Sequence, residues 1–351
     1  SFQPSDYLNT KLYTGNQPAD NAITGVGFSP NFVWVKSRDG VRNHILFNTV
    51  QGVGKSLYAN TNASEVSDAA GMKSFDADGF TVGDWSEPNN NGDDFVSLNW
   101  KAGTTSGITT DGSTTITPTA YSFNQTAGIS ILKYDGAAGT SGKVAHGLGS
   151  APHSIWIKKM TGSTDNWAVF NYSMGYNDSQ DKVAADFYQQ LNHTTTRTDN
   201  AAIWYDTYPD TVNFTIGNDG SVNGSGATYM AYVFARKSGF SKFGFFYGNG
   251  NTDGTWVYTG FRPAFVIIKK GATTDWYMYD NKRLGYNVDN NPLFPNSSQA
   301  AGTADDIDLL SNGFKMRTTN GELNSDGGNM CYWAFAENPF VSSNDIPGVA
   351  R

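Results

Sequence analysis

A chain of 351 residues is longer than one hydrophobic core serves well and predicts two or three domains. Its net charge of −8 and sequence pI of about 4.9 oppose a phosphate backbone, which excludes nucleic acid held by counterion release. Cys331 is the one cysteine, so an intrachain disulfide framework is excluded as well.

Charged residues make up only 16% of the chain and aromatics 14%, with Gly, Asn, Thr, Ser and Asp between short apolar runs. No stretch keeps apolar residues at i, i+3, i+4 and i+7 long enough for a substantial helix. The aromatics stand beside Val and Ile, which is strand chemistry, and the expected class is all-β. No run approaches the roughly 20 apolar residues that cross a bilayer, so membrane insertion is not expected. The opening Ser1-Phe2-Gln3-Pro4-Ser5-Asp6 has neither the basic nor the apolar region of a signal peptide, which predicts synthesis in the cytoplasm followed by assembly.

The first predicted strand of interest lies in Gly27-Phe28-Ser29-Pro30-Asn31-Phe32-Val33-Trp34-Val35-Lys36. The Gly-x-x-Pro sets a turn, with the proline just ahead of the strand. The apolar run then reads as buried on much of both faces, and the lysine is expected to end it in water. His44-Ile45-Leu46-Phe47-Asn48 follows as a second strand, then the turn Gly54-Lys55, then Phe80-Thr81-Val82-Gly83. Phe95-Val96-Ser97-Leu98-Asn99-Trp100 closes the unit after the turn Asn91-Gly92.

The same landmarks return twice in the same order, the signature of an internal repeat. Gly149-Ser150-Ala151-Pro152-His153-Ser154-Ile155-Trp156-Ile157-Lys158 is followed by Trp167-Ala168-Val169-Phe170-Asn171, Gly175-Tyr176, Phe214-Thr215-Ile216-Gly217 and Tyr229-Met230-Ala231-Tyr232-Val233-Phe234. Gly260-Phe261-Arg262-Pro263-Ala264-Phe265-Val266-Ile267-Ile268-Lys269 is followed by Trp276-Tyr277-Met278-Tyr279-Asp280, Gly285-Tyr286, Phe314-Lys315-Met316-Arg317 and Met330-Cys331-Tyr332-Trp333-Ala334-Phe335. Six or more short strands per unit predict three tandem antiparallel β-sandwich domains, jelly-roll or lectin-like. The boundaries are residues 1–101, 129–237 and 238–341. Residues 102–128, rich in Thr, Ser and Gly, read as a linker or an arm along a neighbour, and 342–351 as a loosely held tail. Each unit is expected to bury enough area to fold alone. The second departs most, with Ser154 where the others have Phe32 and Phe265, and its face there is expected to meet a neighbour.

Residues able to carry chemistry do not converge in the sequence. His44, His146, His153 and His193 are far apart, and His44 falls where the other units carry Trp167 and Trp276, so it reads as a packed ring. No nucleophile elbow or phosphate loop is present. Cys331 sits in an apolar run and reads as a buried thiol. Phe75-Asp76-Ala77-Asp78-Gly79-Phe80 has a calcium-like carboxylate pair, but its counterpart Ser311-Asn312-Gly313-Phe314 is a plain turn, so no metal is assigned. Glycoside hydrolysis needs two positioned carboxylates, and none is singled out. No catalytic residue, no cofactor and no enzymatic activity are expected. For binding, aromatic rings on sugar faces are a common device of β-sandwiches. The glycan-binding candidates are Trp167 beside Asp165, Trp276 beside Asp275, and Trp85 in the loop Asp84-Trp85-Ser86-Glu87-Pro88. The competing assignment places Trp167 and Trp276 in the core.

The segments Tyr121-Ser122-Phe123-Asn124-Gln125-Thr126-Ala127-Gly128, Gly239-Phe240-Ser241-Lys242-Phe243-Gly244, Tyr258-Thr259-Gly260-Phe261-Arg262-Pro263-Ala264-Phe265-Val266 and Ala334-Phe335-Ala336-Glu337-Asn338-Pro339-Phe340-Val341 are framework motifs. They resemble an uncharacterised family of tailed phages of marine bacteria, including phages of cyanobacteria. The resemblance implies a virion structural protein: a tail fibre or appendage that contacts the host surface and its glycans, or a capsid decoration or head fibre. A glycan-degrading enzyme is the less favoured third class. It further implies other virion proteins as partners, and a homo-oligomer, with a trimer favoured.

Overall fold

A strand with an unbroken apolar run needs something to cover both of its faces, and each of the three Gly-x-x-Pro strands of this chain holds such a run, at residues 32–35, 155–157 and 264–268. The computed structural model describes residues 2–175, 183–283, 287 and 290–338. The chain is all-β, with several antiparallel sheets, none closed. A six-stranded sheet has the order Leu8–Thr14, Asp94–Trp100, Phe32–Ser37, Ile45–Asn48, Lys55–Tyr58, Val66–Ser67. Its companion has the order Asn21–Thr24, Gly79–Val82, Met72–Asp76.

The same strand order returns further along. A five-stranded sheet runs Ala120–Asn124, Ile129–Asp135, Thr228–Phe234, Ser154–Lys159, Ala168–Asn171, and Gly142–Ala145 pairs with Asn213–Ile216. A four-stranded sheet runs Ser241–Tyr247, Asn329–Asn338, Arg262–Lys270, Trp276–Asp280, with Trp256–Tyr258, Gly313–Met316, Ile307–Leu310 as companion. Register matches residue by residue. Val33 pairs with Phe47 and Asn99, Ile155 with Phe170 and Val233, and Val266 with Tyr279 and Ala334. Pro263 lies inside its strand, not ahead of it, and the ladder shifts register there, which is how a strand accommodates a residue without an N–H.

Because side chains alternate across a strand, the central strands of the first two repeats each feed two cores, while both faces of the third lie in one cluster. Val33, Val35, Ile45 and Phe47 pack with Ile23, Phe80 and Val82 of the companion sheet. Ile155, Ile157 and Phe170 pack with Val144, Phe214 and Ile216. The opposite faces, with Phe32, Trp34, Trp156, Tyr232, Phe265 and Trp333, meet in one cluster shared by all three repeats. Trp34 and Trp156 cross edge-to-face at 5.9 Å, Phe32 lies 4.5 Å from Tyr232, Trp100 5.9 Å from Phe265, and Phe234 5.7 Å from Phe335. The three repeats therefore share a core.

Residues 102–128 do more than link. Ala120–Asn124 adds an edge strand beside Ile129–Asp135, Ile116 is buried, and its N–H bonds the Lys143 carbonyl at 2.9 Å. The predicted tail 342–351 and the turn residues Tyr176, Gly285 and Tyr286 lie outside the described residues.

Candidate functional site

The chemically capable side chains gather along the seams where one repeat meets the next. On the central face of each strand an apolar residue is followed two positions on by a lysine: Trp34 and Lys36, Trp156 and Lys158, Ile267 and Lys269. These lysines were expected to end their strands in water. They are instead 1%, 0% and 1% exposed. An ammonium this deep needs its donors used, and backbone carbonyls use them. Lys158 Nζ donates to Asp165 O at 2.7 Å and Lys159 O at 3.0 Å, and across the seam to Asn62 O at 3.2 Å. Lys269 Nζ donates to Ala272 O and Thr274 O, both at 2.9 Å, and across to Thr194 O at 3.3 Å. Lys36 Nζ donates to Ser37 O at 2.8 Å and across to Ser298 O at 3.3 Å. Burial lowers the pKa of each to about 8.

The seam contacts run in one direction and close on themselves. The second repeat reaches the first, the third reaches the second, and the first reaches the third. Backbone bonds follow the same cycle: Glu65 N to Met160 O at 3.1 Å, Arg197 N to Gly271 O at 3.4 Å, Ala301 N to Arg38 O at 2.8 Å. So do the ring nitrogens at the start of the second strand. Trp167 Nε1 donates to Tyr58 O at 2.9 Å and Trp276 Nε1 to Gln190 O at 3.0 Å. His44 holds the corresponding place, its Nδ1 accepting from Trp34 Nε1 at 3.0 Å, with Nε2 turned to the Phe294 backbone without a close bond. Tyr58, Gln190 and Phe294 each stand two residues before Asn60, Asn192 and Asn296. Those asparagine side chains accept from the backbone N–H of His44, Trp167 and Trp276 at 2.9, 2.9 and 2.8 Å. The asparagine bond is thus built three times and the cross-seam indole bond twice.

The predicted glycan-binding residues fall into this framework. Trp167 and Trp276 are fully buried, so neither offers a ring face to a sugar; the inward assignment holds for both. Asp165 caps its own loop, accepting from Asn166 N at 3.0 Å, and Asp275 accepts from Asn296 Nδ2 at 2.7 Å. Trp85 is half-buried, edge-on to Phe47 at 6.5 Å and tilted against Tyr58 at 6.4 Å. These five residues do not form one site. Asp78 is a turn cap, accepting from Gly27 N at 2.5 Å and Gly25 N at 2.9 Å, and those bonds lower its pKa. Among the described residues no group of His, Cys, Asp and Glu is arranged to hold a metal. The Cys331 thiol is buried, which pushes its pKa up to about 12 and leaves it a poor nucleophile.

An aromatic pair that sequence reading passed over lies on the outer surface of the third repeat. Trp256 and Tyr258 are 49% and 48% exposed, with Val257 between them buried. Their ring centroids are 5.9 Å apart. The alternation Trp-Val-Tyr carried the signal, since period two puts both rings on one face.

Fold and seams define an all-β protein with a threefold-repeated hydrogen-bonded framework. The chain matches, over residues 3–339, the family described as a domain of unknown function (DUF7483), and it belongs to that family. Comparison with curated proteins and with solved structures returned no match.

Proposed function

We propose that the chain is a non-enzymatic structural protein of a virion surface, made of three tandem antiparallel β-sandwich repeats closed into a ring. The observation that carries this reading is the seam. The lysines and indoles that an enzyme would expose to substrate are here spent on joining repeats. The resemblance of the framework segments supplies the setting, a tail fibre or appendage that contacts host-surface glycans, with a capsid decoration or head fibre as the alternative. The family match spans all three repeats without a break, which fits a unit that works as a whole. Among the described residues no helix is long and apolar enough to cross a membrane.

The homotrimer belongs to the same proposal. The intrachain ring is a second route to threefold repetition, one that needs no other copy, and light scattering on the purified chain separates the two. Quantitative mass spectrometry of purified particles tests the location: few copies indicate an appendage, shell-like numbers a decoration. Absence from particles, or turnover of host polysaccharide, overturns the proposal.

A further inference from the structure

The geometry points to a saccharide-binding site on the outer sheet of the third repeat, with Trp256 and Tyr258 as the stacking platform. This rests on the glycan-contact part of the proposed function and moves that contact from the buried indoles to an exposed face.

The first argument is an internal comparison. Register places Trp256 opposite Lys315 and Tyr258 opposite Gly313. The corresponding pairings in the first repeat are Ala22 with Thr81 and Thr24 with Gly79, and in the second Lys143 with Thr215 and Ala145 with Asn213. The fold is therefore built twice with small or polar side chains where the third repeat carries two large rings. Packing does not require these rings, and half of each remains in water. Exposed aromatic surface that the fold does not need marks a binding surface.

The second argument is the floor beside the rings. Gly313 separates Tyr258 from Leu310 on the same face, and its pairing is tight: a Cβ there would stand 2.0 Å from Val257 O. No side chain rises from that position, so a flat ligand can lie across the strand.

The third argument is charge. In the neighbouring row Trp256, Lys315 and Asp308 lie side by side. Lys315 pairs with Asp253, and Arg317 pairs with Asp308 at 2.6 Å and approaches Asp253 at 3.8 Å. Lys242 Nζ lies 5.3 Å from the Tyr258 ring centroid, held there by Tyr258 O at 2.6 Å; around Trp256, two cations and two carboxylates offer donors and acceptors together without net charge. That suits sugar hydroxyls, whereas phosphate, nucleic acid or anionic lipid would call for an excess of cations. Aromatic faces for the apolar side of a pyranose and a neutral polar network for its hydroxyls fit a neutral hexose glycan.

The test uses the full chain and a double variant, Trp256→Ala with Tyr258→Thr, the residues the first repeat carries at these positions. Affinity electrophoresis through gels containing dextran, laminarin or yeast mannan is followed by titration with oligosaccharides of the retarding polymer, read by indole fluorescence. The expected result is retardation in at least one gel and a loss of affinity of about tenfold or more in the variant, with an unchanged melting temperature. Single variants at each ring should give intermediate losses. No retardation in any of the gels overturns the inference, as does binding that survives the double variant. Ring-dependent binding to phosphatidylglycerol vesicles, or ring-dependent self-association, would assign the face to a lipid or a second copy and overturn it as well. None of these readouts depends on whether the chain is found in particles, so the site and the virion role fail separately.

Discussion

Trp333 Nε1 donates to Ser154 Oγ at 2.7 Å, joining residues of the third and second repeats that are both buried. Ser154 Oγ itself donates to Phe170 O at 2.9 Å. The hydroxyl thus stands where the other repeats carry Phe32 and Phe265, and it gives the Trp333 indole an acceptor that no phenyl ring could supply. Removing it leaves a buried N–H without a partner, at a cost of about 1–3 kcal/mol. Ser154→Ala should lower the urea midpoint accordingly, and Ser154→Thr should recover part of the loss. An unchanged midpoint in Ser154→Ala would show that the bond contributes nothing net.

The three seam lysines should respond alike. Replacing any of them by Met removes an ammonium that burial disfavours, but also orphans carbonyls on both sides of a seam. Charge-assisted bonds to three acceptors outweigh the relieved burial, so Lys36→Met, Lys158→Met and Lys269→Met should each destabilise by about 1–3 kcal/mol. Thermal melts of the three variants check both the sign and the similarity. A stabilised variant would show that the charge is a net burden at that seam.

Acid should loosen the protein before its carboxylates titrate. Burial lowers His146 from the usual 6.5 to about 4, against a smaller opposing effect of Asp210. His44 is also held well below 6.5, by burial and by the nearby Lys36, while its Nδ1 is committed to Trp34. A depressed folded-state pKa means that the unfolded chain takes up the proton first. For His146 the stability is complete above about pH 6.5 and falls by about 3 kcal/mol as pH drops toward 4. Urea midpoints between pH 6.5 and 5 should slope downward, and His146→Gln should flatten the slope. Equal slopes in the two proteins would show that His146 titrates normally.

Strand positions were legible in the sequence because period and turn chemistry are local. Phe32–Ser37 and its counterparts and the matched order of landmarks carried over into register, as did the Pro-led turns at Pro30 and Pro152, while Pro263 lies inside its strand. The seam was not legible. Lys36, Lys158 and Lys269 look like ordinary strand-ending charges, because a sequence does not show that a loop from another repeat delivers a carbonyl to each. The burial of two candidate rings was not legible for a related reason. Trp167 and Trp276 sit in polar loops beside carboxylates, which resembles a sugar site, yet each ring enters a seam. Trp256 and Tyr258 have no counterparts in the other repeats, so the recurring landmarks carry no signal for them.

The shared core leads to a prediction about cooperativity. In an isolated first repeat, the face carrying Phe32, Trp34 and Trp100 would be exposed, since its partners Trp156, Tyr232 and Phe265 lie in the other two. Several large rings in water forfeit about 1.5–3 kcal/mol each relative to burial, a large fraction of what a domain of this size holds in reserve. Fragments 1–101, 129–237 and 238–341 should therefore be unfolded or self-associating when expressed alone. The intact chain should melt in one transition, with calorimetric and van't Hoff enthalpies in agreement. Trp34→Ala and Trp156→Ala should each cost about 3–5 kcal/mol, and the double variant should cost less than their sum, because the two rings are each other's neighbours across a seam. Three separate calorimetric transitions, or a monomeric fragment with dispersed amide resonances, would show that the repeats are independent after all.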